Sequence, residues 1–514
     1  MSKNFENYSI NEYKKDLDDY GLEKTWSLIL EFCLNNKNVP DILDIRNFGE
    51  LYEIGLAHTN KIAKKEMGKY YTPEDVATLM SQWLEPLKGK NICDVCCGTG
   101  NLILAYFNVI GPRRTKNILK NKRLYLYDTD EIALKICRYT IAILYGKEYL
   151  ESINYLVKDF LDSSVELPGD AKVISNPPYF KISKIEDNWV KTENIIKSKE
   201  FYSAIMEKII NQSVSSVVIT PYSFIGGEKF YPLRQILNNN SGFIVSFDNV
   251  PGSIFNGRKH GIFNTNSSNS VRAAITVTNK EKTKGYRISP FIRFKSEERD
   301  EILNTEVLEA MLPKIRQTVC GEFKSYYKCF PQLEKLFISW NQVSNKKLRD
   351  LVSKKETEYK LCIPNTCRYF TTAAKKDLSR TGKHELFFSN EKDYYLSYCF
   401  INSSFAYWHW RLYDGGITYP LGLLQSMPIF FDSLSEENKE KLISVAKEMQ
   451  EKENEFLTYK KNAAEMQENI KFPAVYRNKI NSILLEALNI NNPDIFDIVH
   501  SNSFFRKEED QDDE

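Results

Sequence analysis

Asn176-Pro177-Pro178-Tyr179 follows directly on the run Ala171–Ser175, and its residue types are suited to holding an amine. Consecutive prolines fix φ and carry no N–H, so the carbonyls around them are left to accept hydrogen bonds. The Asn176 side-chain oxygen is a second acceptor, and the Tyr179 ring offers a planar group a surface to stack on. Together they can grip both hydrogens of an –NH2 group. A proline-rich strand-to-loop turn with an Asn cap has the same letters, so the surrounding elements must decide between the two.

Upstream, Asn91-Ile92-Cys93-Asp94-Val95 reads as a buried strand, Cys96–Gly100 as a glycine turn and Leu102–Ile110 as a helix. Gly98 and Gly100 let the backbone turn tightly and come close to a ligand. The third glycine of the dinucleotide fingerprint is missing. Arg123–Tyr127 is a strand ending in Asp128 and followed by the helical run Asp130–Leu144; Ile153–Val157 is a strand ending in Asp159; Ala171–Ser175 ends in Asn176. Singly, each acid reads as a cap or turn residue. In an open parallel α/β sheet, however, ligands bind at the carboxyl ends of the strands, and these four polar ends would line one crevice. Gly68-Lys69-Tyr70-Tyr71-Thr72-Pro73-Glu74-Asp75 reads as a loop over a small ligand, running into a helix with Thr72 as N-cap and Pro73 first.

The order Gly-x-Tyr-Tyr-Thr-Pro, Asp-x-x-x-Gly-Thr-Gly, Asn-Pro-Pro-Tyr and a long C-terminal region resembles the amino-N6-adenine DNA methyltransferases of the γ arrangement, of restriction–modification type. The resemblance covers about residues 45–280 closely and 300–465 loosely. It implies an α/β fold, a Rossmann-like class I S-adenosylmethionine-dependent methyltransferase sheet followed by a mixed α+β target-recognition domain. S-adenosyl-L-methionine is the implied cofactor and a flipped adenine in double-stranded DNA the implied substrate. Tyr71, Thr72 and Pro73 match the motif near the methionine end of the cofactor, Asp94, Gly98 and Gly100 the cofactor loop, Asp128 the ribose carboxylate, and Asp159 with Phe160 the adenine-ring contacts. Asn176, Pro177, Pro178 and Tyr179 match the catalytic tetrapeptide, and Phe255 falls where the family places a second aromatic face for the base. Val95 departs from the family's frequent proline, and Cys96-Cys97 reads as a pair of small packing residues.

The chemistry suits this assignment. The N6 lone pair of adenine is delocalised into the ring. Acceptors on both amine protons, Asn176 and the Pro177 carbonyl, would localise it towards the donor without a strong general base. A base inside a duplex must first rotate out, at a cost of a few kcal/mol; stacking on Tyr179 offsets about 1–3 kcal/mol of that.

At 514 residues the chain should form several units. The expected divisions are a helical region over 1–65, the catalytic domain over 66–280, a target-recognition domain over 290–430, a helical region over 431–500 and an acidic, disordered tail over 501–514. Within the catalytic domain, Ser215–Thr220, Gly242–Phe247 and Val271–Thr278 read as strands, the last as an antiparallel edge strand. Further on, Asn402–Arg411 reads as a buried helix and Ser435–Tyr459 as one acidic–basic helix. Two basic groups, Lys346, Lys347, Arg349, Lys354, Lys355 and Lys360, then Arg368, Lys375, Lys376, Arg380 and Lys383, are candidate phosphate contacts.

The formal charge is +2, and setting aside the acidic end from Arg506 leaves +6, which fits a reader with local basic patches rather than a coat of positive charge. Ten cysteines without a signal peptide point to free thiols in the cytoplasm. The cysteine and histidine spacings form no ligand set, so no metal is expected. No run approaches the roughly 18 apolar residues that suggest a membrane span. Residues 1–65 are short for a nuclease, so the expected protein is a stand-alone or orphan modification methylase, with a separate endonuclease as a possible partner and the oligomeric state open. A modification subunit of a multi-subunit restriction system is the alternative, and RNA base or protein glutamine methyltransferases share the amine grip.

Overall fold

Short runs of β-branched and aromatic residues become the strands of one eight-stranded sheet and several two-stranded ones in the computed structural model. The structure describes residues 72–255, 271–281, 283–319, 324–367, 369–462 and 465–501, together with Tyr8, Ser9, Ile42, Leu43, Gly49 and Tyr52. Nearly all of the 1–65 region, Tyr71 of the aromatic loop, Arg368 and the acidic tail beyond 501 lie outside the described residues. By compactness the chain divides into Met1–Tyr326 and Tyr327–Glu514.

In the first unit the large sheet consists of β1 (Asn91–Val95), β2 (Leu124–Asp128), β3 (Asn154–Val157), β4 (Ala171–Ser175), β5 (Ser215–Pro221), β6 (Ser241–Phe247), β7 (Ala273–Asn279) and β8 (Gly285–Ile292). Their order across the sheet is β8-β6-β7-β5-β4-β1-β2-β3. Strands β1 to β5 pair in parallel, β7 lies antiparallel between β5 and β6, and β8 runs parallel to β6. The α/β, Rossmann-like sheet expected from the sequence is therefore present. The register sets Val95 level with Tyr127 on one side and Ser175 on the other. From β1 the chain moves outward to β2 and β3, then returns to β4 on the opposite side of β1. The carboxyl ends of β1 and β4 thus flank the topological switch point, where open α/β sheets bind ligands.

Two expectations change here. The antiparallel strand β7 is interior rather than an edge, because β8 continues the sheet beyond it. That strand, at 285–292, also moves the boundary expected near 280–290 to Tyr326. The charged residues between β7 and β8 resemble an interdomain linker in composition, and only the pairing of β8 with β6 shows that the sheet continues past them.

Helix α1 (Glu74–Leu84) buries Val76, Leu79, Met80, Trp83 and Leu84, the spacing of one helical face. It packs on α2 (Asn101–Ile110) and on β4 and β5. Helix α3 (Glu131–Tyr145) starts at Asp130, whose carboxylate accepts from the amides of Ile132 and Ala133. Helix α4 (Phe201–Gln212) lays Ile205 and Ile209 on a core with Cys93, Val95, Val173 and Val218.

The second unit is mixed. Helices α5 (Glu391–Ile401), α6 (Ser404–Tyr413), α7 (Glu436–Glu451) and α8 (Ala474–Glu486) accompany the hairpin pair β9 (Tyr359–Pro364) and β10 (Lys383–Phe388), and the pair β11 (Leu457–Asn462) and β12 (Glu465–Ile470). Its core is aromatic, with Trp340 stacked on Trp408 at 5.5 Å and Phe400 and Phe405 beside them. Helix α6 is buried along its length, as its composition implies. The single helix expected over Ser435–Tyr459 stops at Glu451, and the chain returns as strand β11, so the 431–500 region is not helical throughout. Glu453 is the reason: its buried carboxylate accepts from the amides of Lys375 and Lys376 at 2.7 and 2.8 Å and from the Tyr398 hydroxyl at 3.0 Å. Those partners are distant in sequence, and satisfying them overrides the helical propensity of the stretch.

Candidate functional site

The turn after β1 is the tightest part of the site. Cys96, Gly98 and Gly100 have φ of 60°, 53° and 89°. Glycine adopts such angles without steric cost, whereas Cys96 is strained there; Cys97 is buried and Cys96 packs against the core, as expected of small packing residues. A Cβ on Gly100 would stand 2.3 Å from Cys137 Sγ. The chain passes here too closely for any side chain.

Asp128, at the end of β2, holds this turn: one carboxylate oxygen accepts from the Gly98 amide at 2.7 Å and the other from the Asp130 amide at 2.9 Å. Asp94 points to the sheet face opposite its neighbours Cys93 and Val95, as strand alternation requires. It is fully buried, and neither carboxylate oxygen makes a hydrogen bond of good geometry. Burial and the nearby Asp128 charge raise its pKa well above the usual carboxylate range; the Ile103 amide opposes this only in part. An ionised carboxylate placed so is costly without a cationic partner.

Asp159 follows β3, half-buried, and accepts from the Leu161 amide at 2.8 Å; burial raises its pKa. Phe160 is 3% exposed, its ring set edge-on to Tyr127 at 5.5 Å. That position leaves the ring little surface for the adenine contact expected of it. Lys208, from α4, fixes this corner by donating to the carbonyls of Phe160 and Asp162 at 2.6 and 2.8 Å while lying over the Phe160 ring. Nothing in the sequence marked Lys208, which lies one strand and one helix away.

Asn176 leaves β4 at the switch point, where Ser175 Oγ donates to the Val95 carbonyl at 2.6 Å and ties the two strand ends together. Asn176 Nδ2 donates to Thr72 Oγ1 at 2.9 Å, and Asn176 Oδ1 accepts from the Tyr179 hydroxyl at 2.7 Å. Thr72 is not the helix cap that its position before Pro73 suggested. Helix α1 starts at Glu74 with no side-chain cap, and the Thr72 hydroxyl faces Asn176 instead. Its carbonyl also accepts from Asn101 Nδ2, so Thr72 joins the start of α1 to the start of α2 and to the amine-gripping turn. These two hydrogen bonds anchor both ends of the Asn176 amide, and the Tyr179 hydroxyl also reaches the Ile219 carbonyl at 3.2 Å.

The Tyr179 ring is half-buried and braced edge-on by Tyr202 at 6.1 Å and by Phe255 at 6.0 Å. Phe255 therefore lies beside the Asn-Pro-Pro-Tyr turn. Pro177 is buried, and Pro178 is partly exposed. The site thus gathers Thr72, Pro73, the 96–100 turn, Asp128 and Asn176–Tyr179 around neighbouring strand ends, with Phe255 against Tyr179.

In the second unit, the proposed phosphate contacts are not equivalent. Lys346, Lys360, Lys376 and Lys383 pair with Asp432, Glu385, Glu468 and Asp377 respectively, and Arg380 is held by Thr366, Gly382 and Asn469. Lys354, Lys355 and Lys375 are exposed. Among the described residues no group of three or more His, Cys, Asp and Glu side chains is placed to hold a metal ion, and no helix is long and apolar enough to cross a membrane.

The family model described as N-6 DNA Methylase matches residues 43–257. The chain is 31% identical over 216 residues to the type II methyltransferase M.VspI of Vibrio sp. (strain 343), covering 40% of this chain and 47% of that one. It is 22% identical over 254 residues to the type I restriction enzyme EcoEI methylase subunit of Escherichia coli, covering 46% of this chain and 50% of that one. The chain thus spans about half the length of these curated relatives. A DNA-bound nuclease-deletion mutant of the type ISP restriction–modification enzyme LlaGI aligns over 84% of this chain and 60% of that one, at 12% identity and a TM-score of 0.42, too loosely to bear on the assignment. The matched segment contains the glycine turn, the strand-end acids and the Asn-Pro-Pro-Tyr turn. Residues 43–257, about two-fifths of the chain, match the N-6 DNA methylase family.

Proposed function

We propose that this chain transfers a methyl group from S-adenosyl-L-methionine to N6 of an adenine flipped out of double-stranded DNA, at a defined sequence. The observation that carries the reading is the anchored amide of Asn176, held at one end by Thr72 and at the other by Tyr179, whose ring packs against Phe255.

The residues present fit the cofactor. Buried Asp94, with both oxygens short of donors, suits a ligand that carries positive charge. The 96–100 turn, Asp128 and Asp159 supply close backbone and acceptors around it. When bound, S-adenosyl-L-methionine supplies an electrophilic methyl group on a sulfonium leaving group. Asn176 Oδ1 and the Pro177 carbonyl accept the two amine hydrogens of the base and concentrate its lone pair on nitrogen. Tyr179 already donates to Oδ1, but a carbonyl oxygen has two lone pairs and can accept a second donor. Stacking between aromatic faces holds the ring in line, and the surplus proton leaves to water after transfer.

The second unit, with its mixed fold and exposed lysines, would read the target sequence. The similarity to a type I methylase subunit supports a second reading, a modification subunit that takes its specificity from another chain. Single-molecule sequencing of DNA from a methylation-free host expressing this chain alone separates the two. N6-methyladenine at one motif, absent with Asn176→Ala, supports the first reading. Modification only when a specificity chain is co-expressed supports the second, and unmodified DNA under both conditions rejects the assignment.

A further inference from the structure

We propose that Arg299 is a positioning residue that clamps the Phe255-bearing loop to the start of α1, so that the aromatic wall and the amine grip are set by one side chain. The idea rests on the adenine reading above, but the clamp can be tested without it. Arg299 lies outside the segment matched by the methylase family, in the short helix Arg299–Ile302, and is 4% exposed.

Its guanidinium makes four hydrogen bonds. Nε and Nη2 donate to the two carboxylate oxygens of Asp75 at 2.6 and 3.0 Å. Nη1 donates to the Ser253 carbonyl at 3.0 Å, and Nη2 also donates to the Ile254 carbonyl at 2.8 Å. The next residue, Phe255, faces Tyr179. Asp75 stands in the first turn of α1, three residues after Thr72, which orients Asn176. One planar fork therefore spans from the helix that sets Asn176 to the loop that sets Phe255. The far end of the same loop is pinned separately, since buried Asp248 pairs with Arg272 at 2.7 Å and Arg293 at 3.0 Å.

Only arginine can do this. A bidentate carboxylate bond and two carbonyl bonds in one plane need the guanidinium's rigid set of donors, whereas a lysine ammonium would reach one side or the other. With one side released, Phe255 would lose its fixed distance from Tyr179, and an extruded base would meet only one defined aromatic face.

The test has two arms. The first follows hydrogen exchange in the free protein, comparing wild type with Arg299→Lys and with Asp75→Asn, a second variant that keeps the arginine. The clamp requires faster exchange at 252–255 in both, with the β1 and β4 amides unchanged. Unchanged exchange at 252–255 overturns the proposal whatever the substrate is. The second arm is a cycle of Arg299→Lys with Phe255→Ala, read by methyl transfer and by fluorescence of DNA carrying 2-aminopurine at the target. Each single variant should raise KM for DNA about tenfold, the scale of one lost aromatic contact, with cofactor Kd within about twofold, and the double variant should be no worse than Phe255→Ala. Additive losses would mean that Arg299 does not act through Phe255. Wild-type protein that transfers no methyl group to adenine would reject the functional reading while leaving the exchange result to judge the clamp.

Discussion

Replacing Thr72 with valine keeps the shape of a buried side chain and removes the acceptor 2.9 Å from Asn176 Nδ2. A neutral hydrogen bond of this kind contributes about 1–1.5 kcal/mol net. The loss falls on orientation rather than folding. Without the Thr72 oxygen the Asn176 amide loses its anchor on that side and can swing away from the target amine. An oxygen so displaced accepts the amine hydrogen less well. The same 1–1.5 kcal/mol becomes roughly a five- to tenfold fall in kcat/KM. The assay is transfer of a radiolabelled methyl group to a DNA carrying the recognised site, with cofactor affinity measured in parallel by calorimetry. Thr72→Ser keeps the oxygen and should recover most of the rate. A Thr72→Val enzyme within twofold of wild type would refute this account, and so would a loss of cofactor affinity equal to the loss of rate.

Asn176→Ala should abolish methylation while leaving cofactor affinity largely intact, as the same two assays would show. Asp128→Ala removes the acceptor of the Gly98 and Asp130 amides, so calorimetry should show clearly weakened cofactor binding; unchanged affinity would misplace the ribose end of the site. Gly100→Ala forces an L-residue to φ of 89° and pushes Cys137, which should cost about 2–3 kcal/mol and lower Tm by roughly 5 °C. Adding Cys137→Ala should relieve the contact but not the backbone strain. Asp94 has a folded-state pKa above its unfolded value. Its contribution to stability is therefore complete below about pH 3.9 and is lost as pH rises through the folded pKa. Asp94→Asn escapes that loss, so its Tm advantage in the cofactor-free protein should grow from pH 4 to pH 8, while cofactor binding weakens. A constant difference would mean that Asp94 titrates normally.

The sequence alone determined the parts whose signals are local. Strand runs ending in Asp94 plus its glycine turn, Asp128, Asp159 and Asn176 were readable because short apolar runs and turn residues act over a few positions. Parallel α/β topology then required those ends to converge. Tertiary structure decided what side chains do once they arrive. Thr72 reads locally as a helix cap, but Asn176, 104 positions away, claims its hydroxyl. Glu453 breaks an otherwise continuous helical pattern to satisfy amides 77 and 78 positions away. Arg299 carries no motif at all, and its role exists only because Asp75 and the carbonyls before Phe255 meet around it. Propensity and periodicity are sums over neighbours in the chain, whereas a buried hydrogen-bonding group takes whichever partner the fold brings within 3 Å.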